Sequence, residues 1–79
     1  MMTKQFKYWL VQGREIEFKY NGCEYFIGNY DEGRAIFKGN KLESKYYLDI
    51  NKFLEEASIN GILLKNILAS GDLNIITVF

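Results

Sequence analysis

The sequence predicts an α+β domain, a small antiparallel sheet packed against helices in the order α-β-β-β-(β)-α-α-β. Three observations carry this expectation. Polar and apolar residues alternate from Arg14 to Tyr20, Asn21-Gly22 follows as a turn, and Cys23 to Tyr30 returns as a second strand. Two later segments place apolar residues at helical spacing. Residues 73–79 are rich in β-branched side chains. All of this lies within 79 residues, which makes residues 1–79 a single domain, since chains divide only well above this length.

Thr3 to Gln12 reads as a short helix. Thr3 can cap it, Phe6, Trp9 and Leu10 fall at i, i+3 and i+4, and Gly13 suits its end. Phe6, Tyr8 and Leu10 also alternate, so a strand is the competing reading. The hairpin that follows is better specified. Asn21-Gly22 is the pair most favoured in a two-residue type I′ turn. Pairing Tyr20 with Cys23 sets Lys19 opposite Glu24, Phe18 opposite Tyr25 and Ile16 opposite Ile27. Charge meets charge and apolar meets apolar, and a slip of one residue undoes both.

Asp31-Glu32-Gly33 reads as a three-residue hairpin loop, followed by a third strand from Arg34 to Lys38. This places Phe37 beside Ile27 on the core face, and Phe26 beside Ile36 on the other. Gly39-Asn40 is a further turn signal that can launch a fourth strand through Tyr46-Tyr47-Leu48. Against that strand, Lys38 then opposes Lys41 and Arg34 opposes Lys45, and like charges repel. Asp49 caps a helix with Ile50, Phe53, Leu54 and Ala57 along one stripe, and Asn60-Gly61 breaks it. Leu63, Leu64, Ile67 and Leu68 mark the next helix, which Gly71 closes. The helices are expected to cover the face that bears Ile16, Phe18, Tyr25, Ile27 and Phe37.

Composition bounds function. Ten Lys and Arg balance ten Asp and Glu, and His is absent. The chain therefore lacks the global positive field of a dedicated nucleic-acid binder. It also lacks the usual general base near neutral pH and the commonest zinc ligand. Cys23 stands alone, which excludes an internal disulfide and suits a reducing compartment. No apolar run approaches the length of a membrane span or a signal peptide, so a cytoplasmic location is expected.

No constellation in the chain asks for catalysis. Glu15 and Glu17 share one face of an amphipathic strand, where solvation accounts for them. Glu55-Glu56 lie opposite the apolar stripe of their helix, and Asp31-Glu32 fall in a turn. Cys23 has no His to activate it and reads as a small packed hydrophobe. Gly28, Gly33 and Gly39 do not match a phosphate loop and read as turn and bulge residues. The expectation is a protein that is not an enzyme, with no catalytic residue, no metal and no cofactor.

Six Phe, six Tyr and one Trp exceed what so small a core can hide. The candidate binding residues are Phe26, Tyr30, Arg34, Ile36, Lys38 and Tyr47. In the expected register Phe26, Tyr30 and Ile36 point away from the core, with Glu15, Glu17, Lys19, Glu24, Arg34 and Lys38 as a charged rim. This pattern favours a small protein-binding module, with another protein or a second copy as partner. The alternative is single-stranded nucleic acid held by Arg34, Lys38, Lys41 and Lys45 with rings nearby. A competing structural reading puts the first helix, with Phe6, Trp9 and Leu10, over this second face.

The stretch Gly13-Arg14-Glu15-Ile16-Glu17-Phe18-Lys19-Tyr20-Asn21-Gly22, then Tyr25-Phe26-Ile27-Gly28, with Asn60-Gly61 ahead of Leu64-Lys65, resembles small proteins of low-GC Gram-positive bacteria and their mobile elements. The resemblance implies an inhibitor or adaptor that acts by binding, host-defence inhibitors among them, and it attaches no activity.

Overall fold

A computed structural model describes residues 2–79. Helix α1 spans Met2–Val11, and strands β1 Ile16–Tyr20, β2 Cys23–Tyr30, β3 Gly33–Lys38 and β4 Lys41–Leu42 follow. Helix α2 spans Ile50–Glu56, β5 Ser58–Ile59, β6 Ile62–Leu63, α3 Leu64–Ser70 and β7 Leu73–Val78. The main sheet is antiparallel throughout, in the order β4-β3-β2-β1-β7, and β5 and β6 form a separate two-stranded sheet.

Helix α1 buries Phe6 and Leu10, one turn apart, and closes with two main-chain bonds. Gly13 N–H donates to Leu10 O at 3.0 Å and Arg14 N–H to Trp9 O at 3.1 Å. The helix begins at Met2, so Thr3 lies inside its first turn rather than at its cap.

Asn21 at φ 52° and Gly22 at φ 77° make the left-handed turn that the first hairpin needs. The β1–β2 register pairs Tyr20 with Cys23, Phe18 with Tyr25 and Ile16 with Ile27, as the charge and apolar pattern requires. The next turn departs from expectation. Gly33 pairs with Tyr30, so the connection is the two residues Asp31-Glu32 and not three. Ile36 therefore lies opposite Ile27, and Phe37 opposite Phe26. Ile36 turns into the core and Phe37 out of it, the reverse of the sequence-based assignment. The cause is local. Gly33, at φ 126°, lies so close to the next segment that a β-carbon there would sit 2.4 Å from the Tyr47 carbonyl oxygen. Glycine serves here as a paired strand residue that admits a neighbouring backbone.

That neighbour is all that remains of the longer fourth strand. β4 pairs Lys38 with Lys41 and Phe37 with Leu42, then leaves the ladder. Glu43 N–H donates to Ile36 O at 2.8 Å, and Ser44 Oγ accepts from Ile36 N–H at 2.9 Å. The chain returns as a single bridge in which Arg34 and Tyr47 exchange two bonds of 2.8 Å each. Tyr47, not Lys45, thus opposes Arg34, and one of the two expected like-charge pairs is avoided.

Asp49 caps α2, its Oδ1 accepting from Lys52 N–H at 3.1 Å. The helix stops at Glu56, and Asn60-Gly61 forms a second tight turn, between β5 and β6, where a simple helix break was expected. Helix α3 ends at Gly71, which is left-handed as anticipated.

The core joins Phe6 and Leu10 of α1, Phe53 and Leu54 of α2, and Leu64, Ile67 and Leu68 of α3 to Ile16, Phe18, Tyr25, Ile27, Ile36 and Leu73 of the sheet. Phe18 stacks on Tyr25 at 5.5 Å between centroids and meets Phe6 edge-on at 6.3 Å. All three helices, α1 included, contribute to this one core, so they share one face of the sheet. Among the described residues the other face carries no helix. Among the described residues no helix is long and apolar enough to cross a membrane.

Candidate functional site

Strict alternation along paired strands decides what the helix-free face displays. It presents Phe26 and Tyr30 from β2, Phe37 from β3 and Leu42 from β4, together with Glu17, Lys19 and Glu24. Beneath the rings lie Gly28 and Ala35, directly paired and both buried although no helix lies over them. The Tyr30 side chain folds back over them, so that a β-carbon at Gly28 would fall 2.2 Å from its ring. A floor of two small residues lets a tyrosine lie flat on its own strand.

The rings above this floor form a closed triangle. Tyr30 and Phe37 are 5.7 Å apart between centroids, Tyr30 and Tyr46 6.2 Å, and Phe37 and Tyr46 6.3 Å. All three contacts are edge-to-face, the arrangement that ring quadrupoles favour. A second pair, Phe26 and Phe79, lies 6.1 Å apart on the same side. These contacts leave much of the surface open, with Tyr30 at 43%, Tyr46 at 40% and Phe79 at 61% exposure. The result is a contiguous aromatic patch with its geometry already set.

Its border is charged and of both signs. Glu17 stands between Phe26 and Thr77, and Glu24 faces Lys19. Glu17, Glu24 and Phe26, with Gly39, help to line a shallow depression of about 290 Å³. Glu15 spends its carboxylate on structure, accepting from Asn29 N–H at 2.9 Å, and Asn29 Nδ2 donates to Gly13 O at 3.0 Å. The Tyr25 hydroxyl is structural too. Burial pushes the Tyr25 hydroxyl above its ordinary value, with the Cys23 thiol beside it adding to the effect.

Of the residues singled out from sequence, Phe26 and Tyr30 lie in this patch. Ile36 does not, because the two-residue turn places it in the core, fully buried. Arg34 follows the same alternation to the helix side, where its Nη2 donates to Leu10 O at the end of α1, 2.7 Å away. Its Nε is buried with no hydrogen-bond partner among the described residues. Lys38 also belongs to that side by alternation, exposed at the end of β3 and close enough to bear on the Tyr25 hydroxyl. Tyr47 packs into the core edge, its ring 5.9 Å from Phe53. Of the expected charged rim, Arg34 and Lys38 are therefore not beside the rings, while Glu17, Lys19 and Glu24 are on their face.

Phe37, Tyr46 and Phe79 escaped the sequence reading, and Gly28 was read as a bulge. Gly28 held a usable signal: a glycine inside a strand, two residues before a tyrosine, is a site where that ring can lie flat. Phe37 was lost with the turn length alone. Comparison with protein-family models, curated proteins and solved structures finds no match to this chain.

Proposed function

We propose that this protein is a small binding module that acts on another protein through the helix-free face of its sheet, without catalysis. The observation that carries the reading is the Tyr30–Phe37–Tyr46 triangle, set in fixed geometry and partly exposed over Gly28 and Ala35. Rings that are held in place before a partner arrives lose little freedom on binding, and such rings dominate interface energetics. Glu17 and the opposed pair Lys19 and Glu24 give the patch a charged border of both signs around an apolar centre. An inhibitor or adaptor working in the cytoplasm fits both this surface and the resemblance to small mobile-element proteins.

The nucleic-acid reading needs cations next to the rings, because phosphate contacts supply most of the affinity. Of the strand residues on this face only Lys19 is cationic, and it already opposes Glu24. Arg34 and Lys38 belong to the other side. Protein binding is thus the reading that the placement of charge favours.

The test is affinity capture from nuclease-treated extract, followed by titration of the captured protein. Phe37→Ala is expected to weaken binding by more than about 1 kcal/mol. Tyr8→Ser, an exposed change on α1 far from this face, is expected to leave binding unchanged. Equal affinities for wild type and Phe37→Ala, with both proteins folded, would overturn the assignment.

A further inference from the structure

We infer that two copies of this chain pair along β7, edge to edge and antiparallel, to form one continuous sheet. This stands apart from the partner-binding reading, since it concerns the edge of the sheet and not its face.

The two edges of the main sheet differ. The β4 edge is two residues long and carries Lys38 opposite Lys41, the kind of short, charged edge that resists further pairing. The β7 edge is six residues long, with no charge and no proline, and it has a strand neighbour on one side only. Among the described residues, the main chain of Leu73–Val78 has no hydrogen-bond partner apart from β1. Uncovered edges of this length and composition are templates for another strand.

The sequence of β7 says which strand. Leu73-Asn74-Ile75-Ile76-Thr77-Val78 has the same pattern in both directions: apolar, polar, apolar, then apolar, polar, apolar. A two-fold interface requires this, because each contact between i and j is repeated as j and i. Centred between Ile75 and Ile76, an antiparallel pair sets Leu73 against Val78, Asn74 against Thr77 and Ile75 against Ile76 of the second copy. The faces also match. Asn74 and Thr77 share the side of Lys19 and Glu17, while Leu73 and Val78 share that of Tyr20 and Ile16. The register shift between Glu17 and Phe18 makes this agreement hold, since an unbulged strand would put residues 73 and 78 on opposite faces. Ile76, the unpaired residue at that shift and 46% exposed, lies at the two-fold axis and is covered by the pairing.

The experiment is sedimentation equilibrium of the purified full chain across a dilution series, with hydrogen exchange measured at both ends of it. A reversible monomer–dimer equilibrium is expected, with new protection at 73–78 in the concentrated sample and none at 41–42. Ile76→Lys brings two like charges together at the axis and is expected to weaken the dimer at least about tenfold. The double change Asn74→Glu with Thr77→Lys sets opposite charges across the axis, and against Lys19 and Glu17 within each chain, and is expected to keep the dimer. A wild-type chain that stays monomeric, assembly that runs past the dimer, or protection away from 73–78 would each overturn the proposal. The exchange readout needs no variant, so it decides the matter even where Ile76→Lys fails to fold. A monomer whose partner binding still depends on Phe37 rejects the edge pairing and leaves the face reading intact.

Discussion

Phe18 is the residue on which the interior turns: fully buried, stacked on Tyr25 and edge-on to Phe6. Phe18→Ala is expected to cost about 3–5 kcal/mol, a large share of what so small a domain possesses. Thermal or denaturant melting measures it directly, and an unchanged melting temperature contradicts the core assignment. Tyr25, its stacking partner, sets a pH limit. Burial raises its hydroxyl pKa in the folded state, so the unfolded chain loses that proton first as pH rises. Stability is expected to fall from the ordinary tyrosine range of about pH 10 upward, and Tyr25→Phe should melt with a shallower alkaline decline than wild type. Gly28 makes a different prediction. Gly28→Ala pushes the Tyr30 ring off its floor, and because that ring is exposed it can swing away at little cost to folding. Near-native stability with weakened partner binding is the expected pair of results. Ile16, Phe18, Tyr25 and Ile27 were legible as core from alternation alone. Ile36 and Phe37 were not, because Gly33 satisfies the pattern of a two-residue and of a three-residue connection equally well.

The same ambiguity decides the elements. Where the turn residues admit one geometry, as Asn21-Gly22 does, sequence reasoning gave both the hairpin and its register. Where contact with a distant segment arbitrates, it did not: Gly33 is drawn into the ladder by Tyr47, fourteen positions along by its numbering. Gly33→Ala is accordingly expected to be among the costlier single substitutions outside the core. It adds strain at φ 126° to a clash with backbone that cannot rotate aside. Loss of exchange protection at the Arg34 and Tyr47 amides checks it. Of the two like-charge pairs that the sequence disfavoured, Arg34 with Lys45 is absent and Lys38 with Lys41 is kept. The tight turn at Asn60-Gly61 carried the same signature as the first hairpin and was masked by the helices on either side. The Asp49 cap is local and was legible; Asp49→Ala should cost about 1 kcal/mol.

At the scale of the molecule, one decision lies beyond any local pattern: which face of the sheet the first helix covers. Its stripe of Phe6 and Leu10 needs an apolar surface, and both faces offer one. Placement of α1 with α2 and α3 leaves Phe26, Tyr30, Phe37, Tyr46 and Phe79 without a cover. The candidate site was therefore half legible. Its aromatic character and two of its members were readable, while its third dimension depended on the turn at Gly33 and on the side that α1 chose. The border beside Phe26 carries Glu17 and the opposed pair Lys19 and Glu24, so the apolar centre and not a single sign of charge is expected to dominate binding. The most direct test of the account compares the affinity of one captured partner for wild type, Phe37→Ala and Lys38→Ala. The helix-free face predicts a loss with Phe37→Ala and near-wild-type binding with Lys38→Ala; a loss confined to Lys38→Ala would place the site on the opposite side and contradict it.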